Sequence, residues 1–380
     1  MSNLSYQALR FPDVSSLTPE ELSEAEKNWV HFQPYLVSKG YQLRPRYRPG
    51  WVPSWKLSGA NPYDCEDSID SLPTRVLDAV RIKDDLRVVI KMIIPYDDDE
   101  EGEEERNILR YLSSEKCVDD PTNHAVRCLD SFSIPGVERG SFCIMPWLTA
   151  YHVHRFNNLE EIHELLVQLF EGLEFLHRNN IVHCDIAPSN IMMDVGRLHN
   201  GPFNPFIQNF ASCRKYMAPL KLRRSNKSVR YYYIDFGYAK WFRYVQRNRM
   251  IKGTRARERA PEQVEGQLYD PFMVDVYQLG ALIRRDLIPS YPSLRFLLPL
   301  TQSMTHHDPA KRVSLETANR LMNTHFIGMP SWRMRWPILS RNASWWELFE
   351  LTVSGTMAEI SFFLRQIVRL LFGNYIAALK

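Results

Sequence analysis

A lysine, a glutamate, an aspartate–asparagine pair and a second aspartate stand in an order that phosphoryl-transfer chemistry would use. Moving the terminal phosphate of ATP requires a cation on the phosphates, oxygen ligands for magnesium, and a carboxylate that orients the attacking hydroxyl. Val88-Val89-Ile90-Lys91 puts a lysine late in a β-branched run, and Glu105 opens the stretch Glu-Arg-Asn-Ile-Leu. A Lys91–Glu105 ion pair would fix the ammonium toward a phosphate. Taken alone, such a strand lysine and helix glutamate are ordinarily surface residues. His183-Cys184-Asp185, with Asn190 five positions after the aspartate, is more specific because it falls in a short loop. Asp235-Phe236-Gly237 then follows the run Tyr231-Tyr232-Tyr233-Ile234.

These residues need elements to bring them together. Val76 to Ile82 and Val88 to Ile94 are β-branched runs around Lys83-Asp84-Asp85, which reads as a hairpin. Eight of the nine residues from Asp97 to Glu105 are acidic. A solvated loop entering a helix N-terminus accounts for them, with a calcium site as the alternative. Leu159 to His177 carries Ile162, Leu165, Leu166, Leu169, Leu173 and Leu176 at helical spacing and leads directly into Ile181-Val182-His183. Strands at Ile191 to Asp194 and Tyr231 to Ile234 flank a basic insertion with Arg214, Lys215, Lys221, Arg223, Arg224, Lys227 and Arg230. From Val274 onward the pattern is largely helical. At the other end, Thr18-Pro19-Glu20-Glu21 predicts a helix start and a helix to about Phe32. An irregular packed segment rich in proline and aromatic residues follows, so residues 1–72 are expected to form an extension packing on the core.

The loop at His183 to Asn190 resembles the protein-kinase catalytic loop HRDxxxxN, which implies Asp185 as catalytic base and Asn190 as a magnesium ligand. Asp235-Phe236-Gly237 resembles the DFG element, implying Asp235 as a second magnesium ligand. Three further stretches extend the likeness over about residues 75–327: Ala260-Pro261-Glu262 resembles APE, Asp275-Val276-Tyr277-Gln278-Leu279-Gly280 resembles DVWSLG, and Asp308-Pro309-Ala310-Lys311-Arg312 resembles DPxxR. The resemblance implies a Glu262–Arg312 bridge of architectural role. It also implies an α+β, bilobal fold spanning residues 73–327, with a small β-rich N-lobe to about 145 and a large helical C-lobe from about 146. ATP and Mg2+ would sit between the lobes, with Lys91 on the phosphates and Glu105 steadying it. The adenine would lie under a hinge at Met145, Pro146, Trp147 and Leu148, with Met145 guarding the back pocket and Met192 also in the cofactor-binding set. Small-molecule kinases share HxDxxxxN but lack the later motifs, so a protein substrate is expected. The segments HCDIAPSNIMMD and YYYIDFGYAK resemble kinase-like domains expanded in mushroom-forming fungi.

The sequence departs from the family pattern in four ways. No GxGxxG precedes Lys91, because no glycine occurs between Gly59 and Gly102. Side chains there should reshape nucleotide binding, and a pseudokinase acting as a regulatory or scaffold module is the alternative reading. Cys184 replaces the arginine of HRD, and Ala187 stands where a lysine would meet the γ-phosphate. Ser189 breaks the tyrosine-kinase pattern, so the acceptor class stays open. The segment from Asp235 to Glu262 carries Arg243, Arg247, Arg249, Lys252, Arg255, Arg257 and Arg259. Acidic substrates or plain solvation of a long loop account for these equally.

A net charge of +3 gives no reason to expect nucleic acid. Six widely spaced cysteines without a CxxC fit a reducing compartment. With no secretory leader in view, the expected location is intracellular and cytoplasmic, with nuclear or membrane-associated placement as variants. Residues 328–380 form a tail with Trp332, Trp336, Trp345 and Trp346 and an apolar helix from Met357 to Leu379. Glu359, Arg365, Gln366 and Arg369 share one side of that helix. It is expected to dock on the core, with peripheral membrane contact as the alternative; the charges speak against a true span.

Overall fold

The computed structural model describes residues 18–68, 75–95, 101–194, 229–243, 249–341 and 344–377. Its small lobe is built on one antiparallel sheet of five strands, in the order β1-β2-β3-β5-β4. These are β1 (Tyr41–Leu43), β2 (Val76–Arg81), β3 (Leu86–Ile93), β4 (Asp130–Ser133) and β5 (Ser141–Pro146). Alternation along β3 sends Val88, Ile90 and Met92 into the outer core, so Lys91 projects from the opposite face.

Helix α1 (Glu24–Ser38) covers that outer core with Trp29, Phe32 and Leu36, packed on Phe142, Ile90 and Ile144. The helix begins later than Thr18. Ser23 and Glu26 cap each other reciprocally, at 2.9 and 3.3 Å, and lead straight into the apolar face, whereas Thr18 and Glu21 close only a single turn before it. Residues read as an outer extension thus supply a strand of the sheet itself, since β1 pairs with β2. Between β1 and β2 the chain passes through α2 (Ser54–Ser58) and is fastened by Arg46, whose side chain is 2% exposed. Its guanidinium donates to Glu26 at 2.5 and 3.1 Å and to the carbonyls of Pro19, Glu21 and Asp67.

Helices α3 (Glu101–Leu112) and α4 (Glu115–Val118) connect β3 to β4. The large lobe surrounds α5 (Leu159–Arg178), capped by Asn158 and buried along Ile162, Leu165, Leu166, Leu169 and Leu173. Beside it lie a sheet of β6 (Thr149–Ala150), β8 (Ile191–Met193) and β9 (Tyr231–Tyr233), and a pair of β7 (Ile181–Val182) with β10 (Lys240–Trp241). The remaining helices are α6 (Pro271–Leu282), α7 (Ile288–Ser290), α8 (Leu298–Met304), α9 (Leu315–Ile327), α10 (Ser331–Arg335) and α11 (Trp345–Ala377). At Gly280 a Cβ would stand 2.6 Å from that of Met304, so α6 and α8 approach closely there because glycine leaves the space. The architecture is the expected α+β bilobal one. The basic insertion, including Arg214 to Lys227, lies outside the described residues.

Helix α11 starts well before Met357, because Ser344 and Glu347 cap one another at 2.8 and 3.2 Å. Glu359 turns inward to a two-bond ion pair with Arg335, 2.9 Å each, while Met357, Ile360, Phe363 and Leu364 are exposed. Among the described residues no helix is long and apolar enough to cross a membrane.

Candidate active site

Lys91 lies opposite Cys143 across the β3–β5 ladder. Its ammonium is 2.5 Å from Glu105 Oε1 and 2.8 Å from Asp235 Oδ1. Burial works against a charged lysine, yet the two carboxylates outweigh it and raise its pKa above the ordinary value. Burial likewise opposes ionisation of Asp235, but Lys91, with Arg257 and His183, holds its pKa down at about 2. The acids from Glu101 onward open helix α3, as expected, and some of them also take partners. Glu104 accepts from the Lys240 ammonium at 3.1 Å and the Trp241 amide at 2.9 Å, and Glu103 pairs with Arg106 and Arg139. Glu105 is the one turned inward, 5% exposed. Asp97 to Glu100 lie outside the described residues.

The loop from β7 to β8 carries His183, Asp185 and Asn190. Its shape is imposed from α6. Asp275, fully buried, accepts the amides of His183 and Cys184 at 2.9 and 2.8 Å and the His177 imidazole Nε2–H at 2.9 Å. Gln278 accepts the Ile186 amide and donates to the carbonyls of Cys184 and Glu258, each at 2.9 Å. These bonds support a left-handed backbone at Cys184, φ 61°, a conformation costly for a side-chain-bearing residue unless its surroundings fix it. Asp235 has the same geometry, φ 64°. Asn190 donates from Nδ2 to both the carbonyl and the carboxylate of Asp185, 2.8 Å each. Its Oδ1 accepts from another side chain.

Arg257 was hidden among the basic residues of its segment. Its amide donates to Asp185 Oδ1 at 2.6 Å, and Nη1 donates to Asp185 Oδ2 at 2.5 Å and Asn190 Oδ1 at 2.8 Å. Nη2 reaches Asp235 Oδ2 at 3.5 Å. One guanidinium therefore touches all three oxygen-bearing residues. No sequence signal separates it from Arg255 or Arg259. The clamps Asp275 and Gln278 belong to a stretch visible in the sequence, but their grip on the loop was not legible there.

The residues expected around adenine gather where the two sheets meet. Met145 and Pro146 end β5 opposite Val89 and Val88, Trp147 and Leu148 lead into β6, and Met192 on β8 stands opposite Ala150. Met145 and Leu148 belong to the large core, with Trp147 and Met192 packed against it. Further out, Arg312 and Glu262 make two parallel bonds of 2.5 and 2.6 Å, with Arg312 also donating to the carbonyls of Met273 and His306. The connection from β1 to β2 holds only Gly50 and Gly59, so it contains no GxGxxG.

Two curated proteins are similar to part of this chain. Cyclin-dependent kinase E-1 of Arabidopsis thaliana is 26% identical over 188 residues, 50% of this chain and 32% of that protein. Serine/threonine-protein kinase SSN3 of Phaeosphaeria nodorum is 25% identical over 201 residues, 53% of this chain and 37% of its own length. The chain thus spans about a third of the length of these relatives. Residues 74–295 match the protein kinase domain, and this covers more than half of the sequence: the chain belongs to the protein kinase domain family.

Proposed function

We propose that this chain transfers the terminal phosphate of ATP to a hydroxyl of a protein substrate. The observation that carries the reading is the convergence on Arg257. A single cationic group lies within bonding reach of Asp185 and Asn190 and at 3.5 Å from Asp235, so their oxygens can share one cation. Hard oxygen donors in that arrangement suit magnesium, and Asn190 and Asp235 would hold it. Bound magnesium supplies charge neutralisation for the phosphates. Lys91, pinned by Glu105, would hold the phosphates of ATP. Asp185 would accept the proton of the attacking hydroxyl, with Asn190 Nδ2 keeping its carboxylate in place. Met145 to Leu148 and Met192 would flank the adenine.

Asp185→Asn preserves the shape and the Asn190 contact while removing the base. Phosphate transfer, followed as ADP release and substrate labelling, should fall by about a hundredfold or more. Equal activity in the variant, with unchanged unfolding, would remove the assignment.

A regulatory module that keeps its site closed is the second reading, and the same guanidinium favours it. A small-molecule phosphotransferase is third, and the Glu262–Arg312 pair weighs against it. The motifs HCDIAPSNIMMD and YYYIDFGYAK resemble those of kinase-like domains expanded in mushroom-forming fungi, and we propose that the chain is of that kind, with an intracellular location.

A further inference from the structure

Two thiols that take no part in this chemistry face each other beneath the sheet. Cys143, on β5, is 2% exposed, whereas Cys128, just before β4, is partly exposed. Both are free cysteines, and their Sγ atoms are 3.1 Å apart, with Cys143 donating. Cys128 in turn donates to the Asp130 carbonyl at 3.2 Å, and its amide is anchored on Ser113 Oγ at 2.8 Å. A disulfide needs sulfurs about 2.05 Å apart, so closing this gap takes about 1 Å of side-chain movement. The hydrogen bond from Cys143 favours the thiolate at Cys128, whose pKa is lowered. The same contact, with burial, raises that of Cys143. Cys128, the less buried of the two, is therefore the better nucleophile, and Cys143 stands ready to resolve it.

We propose that Cys128 and Cys143 are a redox modification site, a dithiol that hydrogen peroxide converts to an intramolecular disulfide. In the first step the Cys128 thiolate attacks a peroxide oxygen, the O–O bond breaks, and water leaves after protonation, giving a sulfenic acid. In the second, the Cys143 sulfur attacks the sulfenic sulfur. The S–O bond breaks as the S–S bond forms, and the departing hydroxide takes the Cys143 proton as water. Two thiols and one peroxide thus become one disulfide and two waters. The product ties the segment between α4 and β4 to the strand that faces Lys91.

The test treats the full chain with graded hydrogen peroxide, alkylates remaining thiols after unfolding, and maps the peptides by mass spectrometry. The expected result is a loss of two hydrogens, carried by a Cys128–Cys143 cross-linked peptide that dithiothreitol reverses. Buried Cys117 and Cys184 should still be alkylated at that dose. Cys128→Ser should show no such peptide. Accumulation of Cys128 sulfinic acid without a bridge, a bridge to any other cysteine, or no mass change would overturn the proposal. Each of these is read on the wild-type chain, so the outcome does not depend on how the variant folds.

Discussion

Two arginine–carboxylate clusters in the large lobe share a chemistry and differ in consequence. Arg312 is wholly buried and makes two bonds to Glu262 and one to each of two backbone carbonyls. Arg257 has a half-exposed side chain and binds Asp185, Asn190 and Asp235, whose oxygens are the ones a magnesium ion would claim. The first pair is sealed from water and tied to backbone carbonyls, so it fixes the fold. Under the proposed function the second would exchange its cation for a metal ion, which would make it a setting of the site rather than a part of the frame.

The comparison is broken or sharpened by experiments of decreasing effect. Arg312→Ala leaves the Glu262 carboxylate stranded, and stability should drop by about 3–5 kcal/mol in chemical denaturation. Arg257→Ala should cost less, about 1 kcal/mol, because the Arg257 side chain is half in water and the buried Asp185 carboxylate keeps its bonds from Asn190 and from the backbone amide of residue 257. Equal losses would erase the distinction. Next, calorimetric titration with Mg2+ or Mn2+ should show roughly tenfold tighter binding to Arg257→Ala, equivalent to about 1.4 kcal/mol, since the internal competitor is gone. Unchanged affinity would mean that the guanidinium and the metal do not contend for the same oxygens. The smallest effect concerns acid. Asp235 has a folded pKa of about 2, below the ordinary value of about 3.9. Its contribution to stability is then present above about pH 4 and lost as pH falls toward 2. Arg257→Ala removes one of the charges that depress this pKa, so the carboxyl should titrate at higher pH in an NMR titration, and the acid loss of stability should be smaller and complete at higher pH.

Legibility in the sequence followed the distance over which information is encoded. The catalytic loop, the DFG stretch and the segments around Glu262 and Arg312 declare themselves because each is a fixed spacing within a few residues. The long helix α5 does so through its periodicity. Strand β1 did not: three residues, Tyr41 to Leu43, become a strand only by pairing with residues 79–81. Arg46 reads as one more basic residue until Glu26 and the carbonyls at positions 19, 21 and 67 converge on it. Both misplaced helix starts, near residues 18 and 357, have one cause: a reciprocal Ser–Glu cap competes with weaker signals, and only packing decides which is used. Arg257 was unreadable for a different reason, since its role depends on where a long segment turns.

Asp275 holds the backbone of His183 and Cys184 from a helix some ninety positions downstream. A proteolytic fragment ending before that helix would still contain Lys91, Asp185, Asn190 and Asp235, yet it would lack the carboxylate that keeps Cys184 in its left-handed turn. The geometry of the candidate site should therefore emerge late during synthesis on the ribosome, once α6 has left the exit tunnel.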